Sequence, residues 1–131
     1  MDLQFFIVRD PGDKEKERVV LKVMKNTELG NYLIATATEN DDNKTISSSL
    51  SNVLWLPDQK LKAGDLVVIY TYSNKKGKTN NIDGSTSYFY TWGLKKPVGD
   101  NKRNTIVLFE TDWCYRRVFP EEVKVDELLE K

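Results

Sequence analysis

Basic and aromatic residues concentrate between positions 75 and 103, and these residue types could bind an anionic polymer. The basic residues lie in two predicted loops, 75–78 and 95–103, and the aromatic residues lie on the predicted strand between them: Lys75, Lys76, Lys78, Lys95, Lys96, Lys102 and Arg103, with Tyr88, Tyr90 and Trp92. Cations can pair with phosphates while an exposed ring stacks on a base. If both loops emerge at one end of the domain, the pattern favours nucleic-acid or nucleotide binding. If the rings are core residues, the lysines only keep the loops soluble.

Residues suited to catalysis are scarce. The chain has no histidine, which removes the commonest general base near neutral pH and the commonest transition-metal ligand. The lone thiol, Cys114, falls in a predicted strand between Trp113 and Tyr115, which is typical of a buried structural cysteine. The aspartates lie in predicted loops, where turn chemistry is their usual role: Asp41, Asp42, Asp65, Asp83, Asp100 and Asp112. The sequence therefore predicts no enzyme, no metal site and no cofactor.

The length and composition of the chain are typical of a single globular domain. The 131 residues are 39% hydrophobic and 31% charged, with 20 basic and 20 acidic residues, so the formal net charge is zero. That balance argues against a protein whose main function is to bind a polyanion, although a local basic patch can exist on a neutral chain. The apolar run Phe5–Val8 is too short for a signal peptide or a membrane span, and a lone cysteine suits a reducing compartment. We expect a cytoplasmic protein without a membrane partner, and the abundance of Asn and Lys indicates a bacterial or phage source.

The stretch from Leu66 to Tyr72 organises the predicted fold. It is a run of β-branched, aromatic and large aliphatic residues between a Gly64-Asp65 turn and Ser73-Asn74, which predicts a strand buried on both faces. Its predicted partner is 87–92. Further strands are predicted at 3–9 (an edge), 19–24, 32–38, 53–56 and 105–110, with a terminal hairpin into 113–118 and long polar loops at 73–86 and 93–104.

Short strands separated by turn signals predict an all-β fold, a two-sheet β-sandwich, with an open barrel as the alternative. Residues 1–17 are assigned to an N-terminal strand and loop, and residues 18–118 to the sandwich. Residues 119–131 form an acidic C-terminal tail, which we expect to be a short helix or disordered.

Several turn motifs resemble those of the lamin tail domain. They are Lys25-Asn26-Thr27, Leu29–Tyr32, Leu61–Tyr70, Trp92-Gly93, Gly99-Asp100 and Thr105–Phe109 with Asp112. The resemblance covers about Arg18 to Val118, and it departs from the family at Val53–Pro57 and in the length of the lysine-rich loop. It implies an antiparallel immunoglobulin-like β-sandwich used as a noncatalytic adaptor for protein or DNA contacts, with no family-wide active site to transfer.

The functional prediction is a noncatalytic binding module that contacts a protein partner through its loops or an edge strand. The alternative is nucleic-acid or nucleotide binding through the two lysine-rich loops and the aromatic residues of 88–92. An exposed apolar patch or an unpaired edge strand would favour a protein, and loop lysines converging with an exposed Tyr or Trp would favour nucleic acid. The sequence leaves the oligomeric state open.

Overall fold

The computed structural model describes residues 1–42 and 44–111. Within them the chain forms β1 (Leu3–Arg9), β2 (Arg18–Val23), β3 (Thr27–Glu28), β4 (Tyr32–Thr38), β5 (Ser51–Trp55), β6 (Lys60–Leu61), β7 (Leu66–Tyr70), β8 (Gly77–Asn80), β9 (Thr86–Thr91) and β10 (Asn104–Glu110). Two single-turn 3-10 helices, Leu29–Asn31 and Val98–Asp100, lie before β4 and β10. The predicted features in 112–131, namely the strand 113–118, the buried Cys114 and the tail, lie outside the described residues.

The described strands form three separate sheets. A five-stranded sheet has the order β1-β2-β7-β9-β8, a three-stranded sheet the order β10-β4-β5, and β3 pairs with β6. The predicted all-β sandwich is confirmed, because side chains from both larger sheets share one core. Val19, Leu21, Val67 and Ile69 of the first sheet cluster with Tyr32 and Ile34 of the second, and Leu54, Ile106 and Leu108 pack against them.

β7 is the central strand that its apolar run predicts. Val67 and Ile69 are fully buried on its inner face, and Val68 is 7% exposed on its outer face. β2 and β9 pair with its two edges, so 87–92 is its neighbour as predicted. The predicted edge strand 3–9 is also confirmed, since β1 lies at the end of the five-stranded sheet and pairs there with β2.

The pairing of β7 with β9 is parallel, whereas an antiparallel sandwich was predicted. The reason is β8, which lies inside the stretch 73–86 that was predicted to be entirely loop. β8 and β9 form a hairpin closed by the Asn81 amide, which donates to the Ser85 carbonyl oxygen at 2.7 Å. β8 takes the sheet edge and runs antiparallel to β9, which leaves β9 parallel to β7. All four β8 residues are exposed and none is large and apolar, so no hydrophobic pattern marks this strand.

A buried carboxylate joins three loops at one end of the sandwich. Glu17 is fully buried, and its Oε2 accepts from the amides of Gly12 and Gly99, both at 2.8 Å. Its Oε1 accepts from the Val98 amide at 2.6 Å and from the Thr71 hydroxyl at 2.8 Å. A charge can be buried at tolerable cost when donors satisfy its lone pairs, so Glu17 fixes the loops after β1, β7 and β9 to one another.

Candidate functional site

The basic and aromatic residues of the predicted site divide among different surfaces. Lys76, Lys78, Tyr88 and Tyr90 line one groove of about 570 Å³, opposite Leu54, Pro57 and Gln59. We call this the tyrosine groove. It forms because the five-stranded sheet is wider than the three-stranded sheet, so that β9 and β8 project past the edge strand β5. Residues that would otherwise meet the opposite sheet therefore face a groove that is open to solvent.

Strand register determines which side chains enter the tyrosine groove. Tyr88 and Tyr90 pair with Val67 and Ile69, whose side chains are in the core, so both rings lie on the inner face and are half-buried there. Lys78 is opposite Tyr88 on β8. Burial raises the pKa of the Tyr90 phenol, with smaller contributions from Tyr88 and Glu28. The Tyr90 phenol thus keeps its proton at neutral pH.

The other predicted basic residues lie elsewhere. The Lys75 ammonium lies 5.8 Å from the centroid of the Tyr70 ring, on the outer face of the five-stranded sheet. Lys95 and Lys96 line a second cleft of about 620 Å³, between 93–98 and the ends of β4 and β5. Lys102 lines a groove of about 410 Å³ between β1 and β10. Arg103 pairs with Asp41 at 3.1 Å.

Trp92 does not provide a ring for stacking. It is 9% exposed, and its indole Nε1 donates to the carbonyl oxygen of Asn52 at 2.8 Å. The two lysine-rich loops therefore share no single cleft with three rings. The structure instead groups two lysines with two tyrosines, and a separate pair of lysines with hydroxyl and amide side chains.

β1 exposes a continuous apolar surface that the site prediction did not include. Phe5, Phe6, Ile7 and Val8 are 46%, 59%, 39% and 37% exposed, and we call these four residues the β1 surface. They are exposed on both faces because β1 is an edge strand and its register shifts at a bulge between Phe5 and Ile7. Four consecutive apolar residues in a predicted edge strand were the sequence signal for this surface.

An apolar row crosses the outer face of the five-stranded sheet from the β1 surface, and its two middle members, Val20 and Val68, are each 7% exposed. Ile7, Val20, Val68 and Phe89 are successive partners in the register, and we call this row the outer strip. Cations flank it. The Lys22 ammonium lies 5.8 Å from the Phe6 ring, and the Arg18 guanidinium 5.6 Å from the Tyr70 ring. The Arg18 guanidinium also pairs with Asp10 at 2.9 Å, which offsets its charge.

Three of the loop aspartates, Asp42, Asp65 and Asp83, accept amide hydrogen bonds in turns as predicted, and Asp112 lies outside the described residues. Backbone hydrogen bonds from Lys44 and Thr45 lower the pKa of Asp42, and bonds from the Ser85 hydroxyl and amide lower that of Asp83. Asp65 accepts from the amides of Lys62 and Thr86 at 2.8 and 3.0 Å. Across residues 1–42 and 44–111, no three Cys, Asp or Glu side chains are grouped as metal ligands.

No helix in the described part of the chain has the length and hydrophobicity needed to span a membrane. No protein-family model matches the chain, and no curated protein matches it with significance. The fold defines an all-β sandwich, and the kinship with lamin tail domains stays a prediction.

Proposed function

We propose that the chain is a noncatalytic binding module and that it recognises an extended segment of a protein partner at β1. The observation that carries this proposal is the β1 surface, in which four consecutive large apolar side chains are exposed on an edge strand. Exposed apolar area of this kind is costly in water and marks contact sites.

The backbone of β1 supplies the second part of the interaction. Among the described residues β1 pairs with β2 alone, so one edge of the strand offers its amide and carbonyl groups to an added strand. In strand addition, main-chain hydrogen bonds contribute affinity, and pockets for alternate side chains contribute specificity. Lys22 beside the outer strip favours a carboxylate in the partner. The proposed ligand is thus an extended peptide with alternating apolar and acidic residues.

Kinship with lamin tail domains is part of the same proposal. It is supported by the turn motifs and by two pairings, β2 with β7 and β4 with β10. Strands B and E, and strands C and F, pair in the same way in immunoglobulin-like sandwiches. The parallel β7–β9 pair departs from that arrangement. The cytoplasmic location also belongs to the proposal and is supported by the lone cysteine.

Selection from a displayed library of random peptides tests the proposal without a known partner. We expect enriched peptides to alternate apolar and acidic residues, and the β1 amides that face away from β2 to become protected from hydrogen exchange when such a peptide binds. Phe6→Asp should weaken binding at least about tenfold, because it puts a charge in an apolar contact. Val53→Asp is the matched control, since Val53 is 56% exposed on the edge strand β5. Equal losses in both variants, or protection confined to other strands, would contradict the proposal.

Nucleic-acid binding remains the second candidate because Lys76, Lys78, Tyr88 and Tyr90 line one groove. Stacking on tyrosine with lysines beside it is how single strands are bound without sequence preference. Fluorescence anisotropy with a labelled thymidine oligonucleotide checks this candidate. Affinity should fall steeply with salt, and Lys76→Glu with Lys78→Glu should abolish binding, whereas Lys44→Glu on a distant loop should have little effect. A flat salt response would exclude the groove as a polyanion site.

A further inference from the structure

The inner face of the three-stranded sheet changes from apolar to polar at one end of the sandwich. On β4 the fully buried Tyr32 and Ile34 are followed on the same face by Thr36 and Thr38. On β10 the position opposite Thr38 is Asn104, next to the apolar Ile106. Inner-face positions of a sandwich normally carry core side chains, so a polar end needs another explanation.

Thr36, Thr38 and Asn104 form the floor of the 620 Å³ cleft, which we call the polar mouth. Ser51 and Asn52 of β5 extend the floor, and the segment 93–98 forms the opposite wall with Lys95 and Lys96. No Asp or Glu of the described residues lines the cleft, so nothing acidic within it offsets the two ammonium groups. The polar mouth is therefore positively charged on one wall and rich in hydroxyl and amide groups on the floor.

Hydrogen bonds hold the floor in place. The Thr36 hydroxyl donates to the Ser51 carbonyl oxygen at 3.1 Å and accepts from the Asn52 side-chain amide at 2.9 Å. The Trp92 indole donates to the Asn52 carbonyl oxygen at 2.8 Å, which ties this residue to the core. A binding site gains from such support because less ordering is needed when the ligand arrives.

The backbone of the floor is also unusual. Asn52 has φ of +54°, in the left-handed region, and lies beside the bulge where the β4–β5 register shifts between Ile34 and Thr36. Left-handed backbone at a residue other than glycine, and bulges that redirect side chains, are both common at ligand sites. Asn52, at this position, lines the polar mouth.

We infer that the polar mouth binds a phosphorylated sugar, with the phosphate on Lys95 and Lys96 and the sugar hydroxyls on the Thr, Ser and Asn side chains of the floor. The two lysines favour an anion over a neutral sugar. No aromatic ring of residues 1–42 and 44–111 lines the cleft, so these residues offer a nucleobase no stacking partner there. This site is separate from the β1 surface, and failure of the proposed peptide binding would leave it untouched.

Isothermal titration with glucose 6-phosphate, ribose 5-phosphate, glucose, inorganic phosphate and adenosine monophosphate tests the inference. We expect at least one sugar phosphate to bind about tenfold or more tightly than glucose and than inorganic phosphate. Glucose lacks the phosphate that would contact the lysines, and inorganic phosphate lacks the hydroxyls that would contact the floor. Amide chemical-shift changes should map to Ser51, Asn52 and the segment 93–98. Failure of both sugar phosphates to bind, or equal affinity for inorganic phosphate, would overturn the inference. Tighter binding of adenosine monophosphate than of ribose 5-phosphate would also overturn it, because a base contact would then be required.

Substitutions test the lysine wall and the polar floor of the polar mouth separately. Lys95→Ala with Lys96→Ala should weaken the sugar phosphate and inorganic phosphate alike, by about tenfold or more, because charge-assisted hydrogen bonds are lost. Thr38→Val should weaken the sugar phosphate and leave inorganic phosphate unchanged. Lys75→Ala, on the outer face of the other sheet, is the control and should change neither. Loss of sugar-phosphate binding in the control, with a native amide spectrum, would place the site elsewhere.

Discussion

At the scale of single residues, Glu17 is a fully buried carboxylate that accepts several hydrogen bonds. Four donors point at its two oxygens, and glutamine has the same shape but only one acceptor oxygen. In either orientation its NH₂ group faces donors, so at least one buried donor loses its acceptor. Glu17→Gln should therefore lower the free energy of unfolding by about 3 kcal/mol.

Urea denaturation measures this loss, and Glu15→Gln provides the matched control. Glu15 is exposed two residues away, and its substitution should change stability by less than about 0.5 kcal/mol. A Glu17→Gln variant as stable as the control would mean that the carboxylate does not hold the three loops together.

At the scale of elements, the 3-10 helix Val98–Asp100 and the loop after β1 approach each other more closely than side chains allow. A Cβ on Gly99 would lie 2.5 Å from the Gly12 nitrogen and 2.8 Å from the Pro11 carbonyl carbon. Both neighbours are backbone, so they cannot rotate away, and the Gly99 amide is held by Glu17 at 2.8 Å. Gly99→Ala should therefore destabilise the fold by about 2–3 kcal/mol through overpacking.

Gly77→Ala separates this steric effect from backbone strain. Gly77 has φ of +105° and nothing lies within 4 Å of its added Cβ, so its cost is the left-handed conformation alone, about 1 kcal/mol. Thermal unfolding of both variants checks the comparison. A Gly99→Ala protein no less stable than Gly77→Ala would show that the two loops can separate at little cost.

The elements also show which parts of the fold could be predicted from sequence. β7 and β4 could be predicted from the sequence because apolar side chains are buried on both faces of each strand, which produces a nearly continuous apolar run. β8 was not, because a strand exposed on both faces is held by its backbone ladder with β9 and has no hydrophobic period. The parallel direction of β9 relative to β7 could not be predicted either, because it follows from the β8–β9 hairpin.

At the scale of the whole molecule, the candidate sites depend on how the two sheets are placed over each other. The sequence identified Lys76, Lys78, Tyr88 and Tyr90 as members of one set, and the tyrosine groove groups them because the wider sheet projects past β5. It could not separate Lys95 and Lys96 from that set, because which loops meet at which end is decided by strand order and not by residue type. Glu17 gave no local signal, since its partners are up to 82 positions away.

Tyr32, in the core between the two larger sheets, makes the free energy of unfolding depend on pH in the alkaline range. This side chain is fully buried, its hydroxyl lies 3.1 Å from that of Thr27, and burial raises its pKa from 10.0 to about 12. Below pH 10 both the folded and the unfolded chain keep the phenol proton, so Tyr32 adds no pH dependence there. Between pH 10 and 12 the unfolded chain releases the proton while the folded chain keeps it, and the free energy of unfolding falls.

The fall due to Tyr32 should be on the order of 2–3 kcal/mol, because one pKa unit corresponds to about 1.4 kcal/mol. Other groups titrate in the same window, so the measurement is a difference. Urea denaturation at intervals from pH 9 to 12 should show a steeper decline for the wild-type chain than for Tyr32→Phe, which has no phenol to ionise. Tyr72→Phe, at a tyrosine that is 39% exposed, should decline in parallel with the wild type. Parallel curves for the wild type and Tyr32→Phe would mean that the phenol ionises as readily in the core as in the unfolded chain.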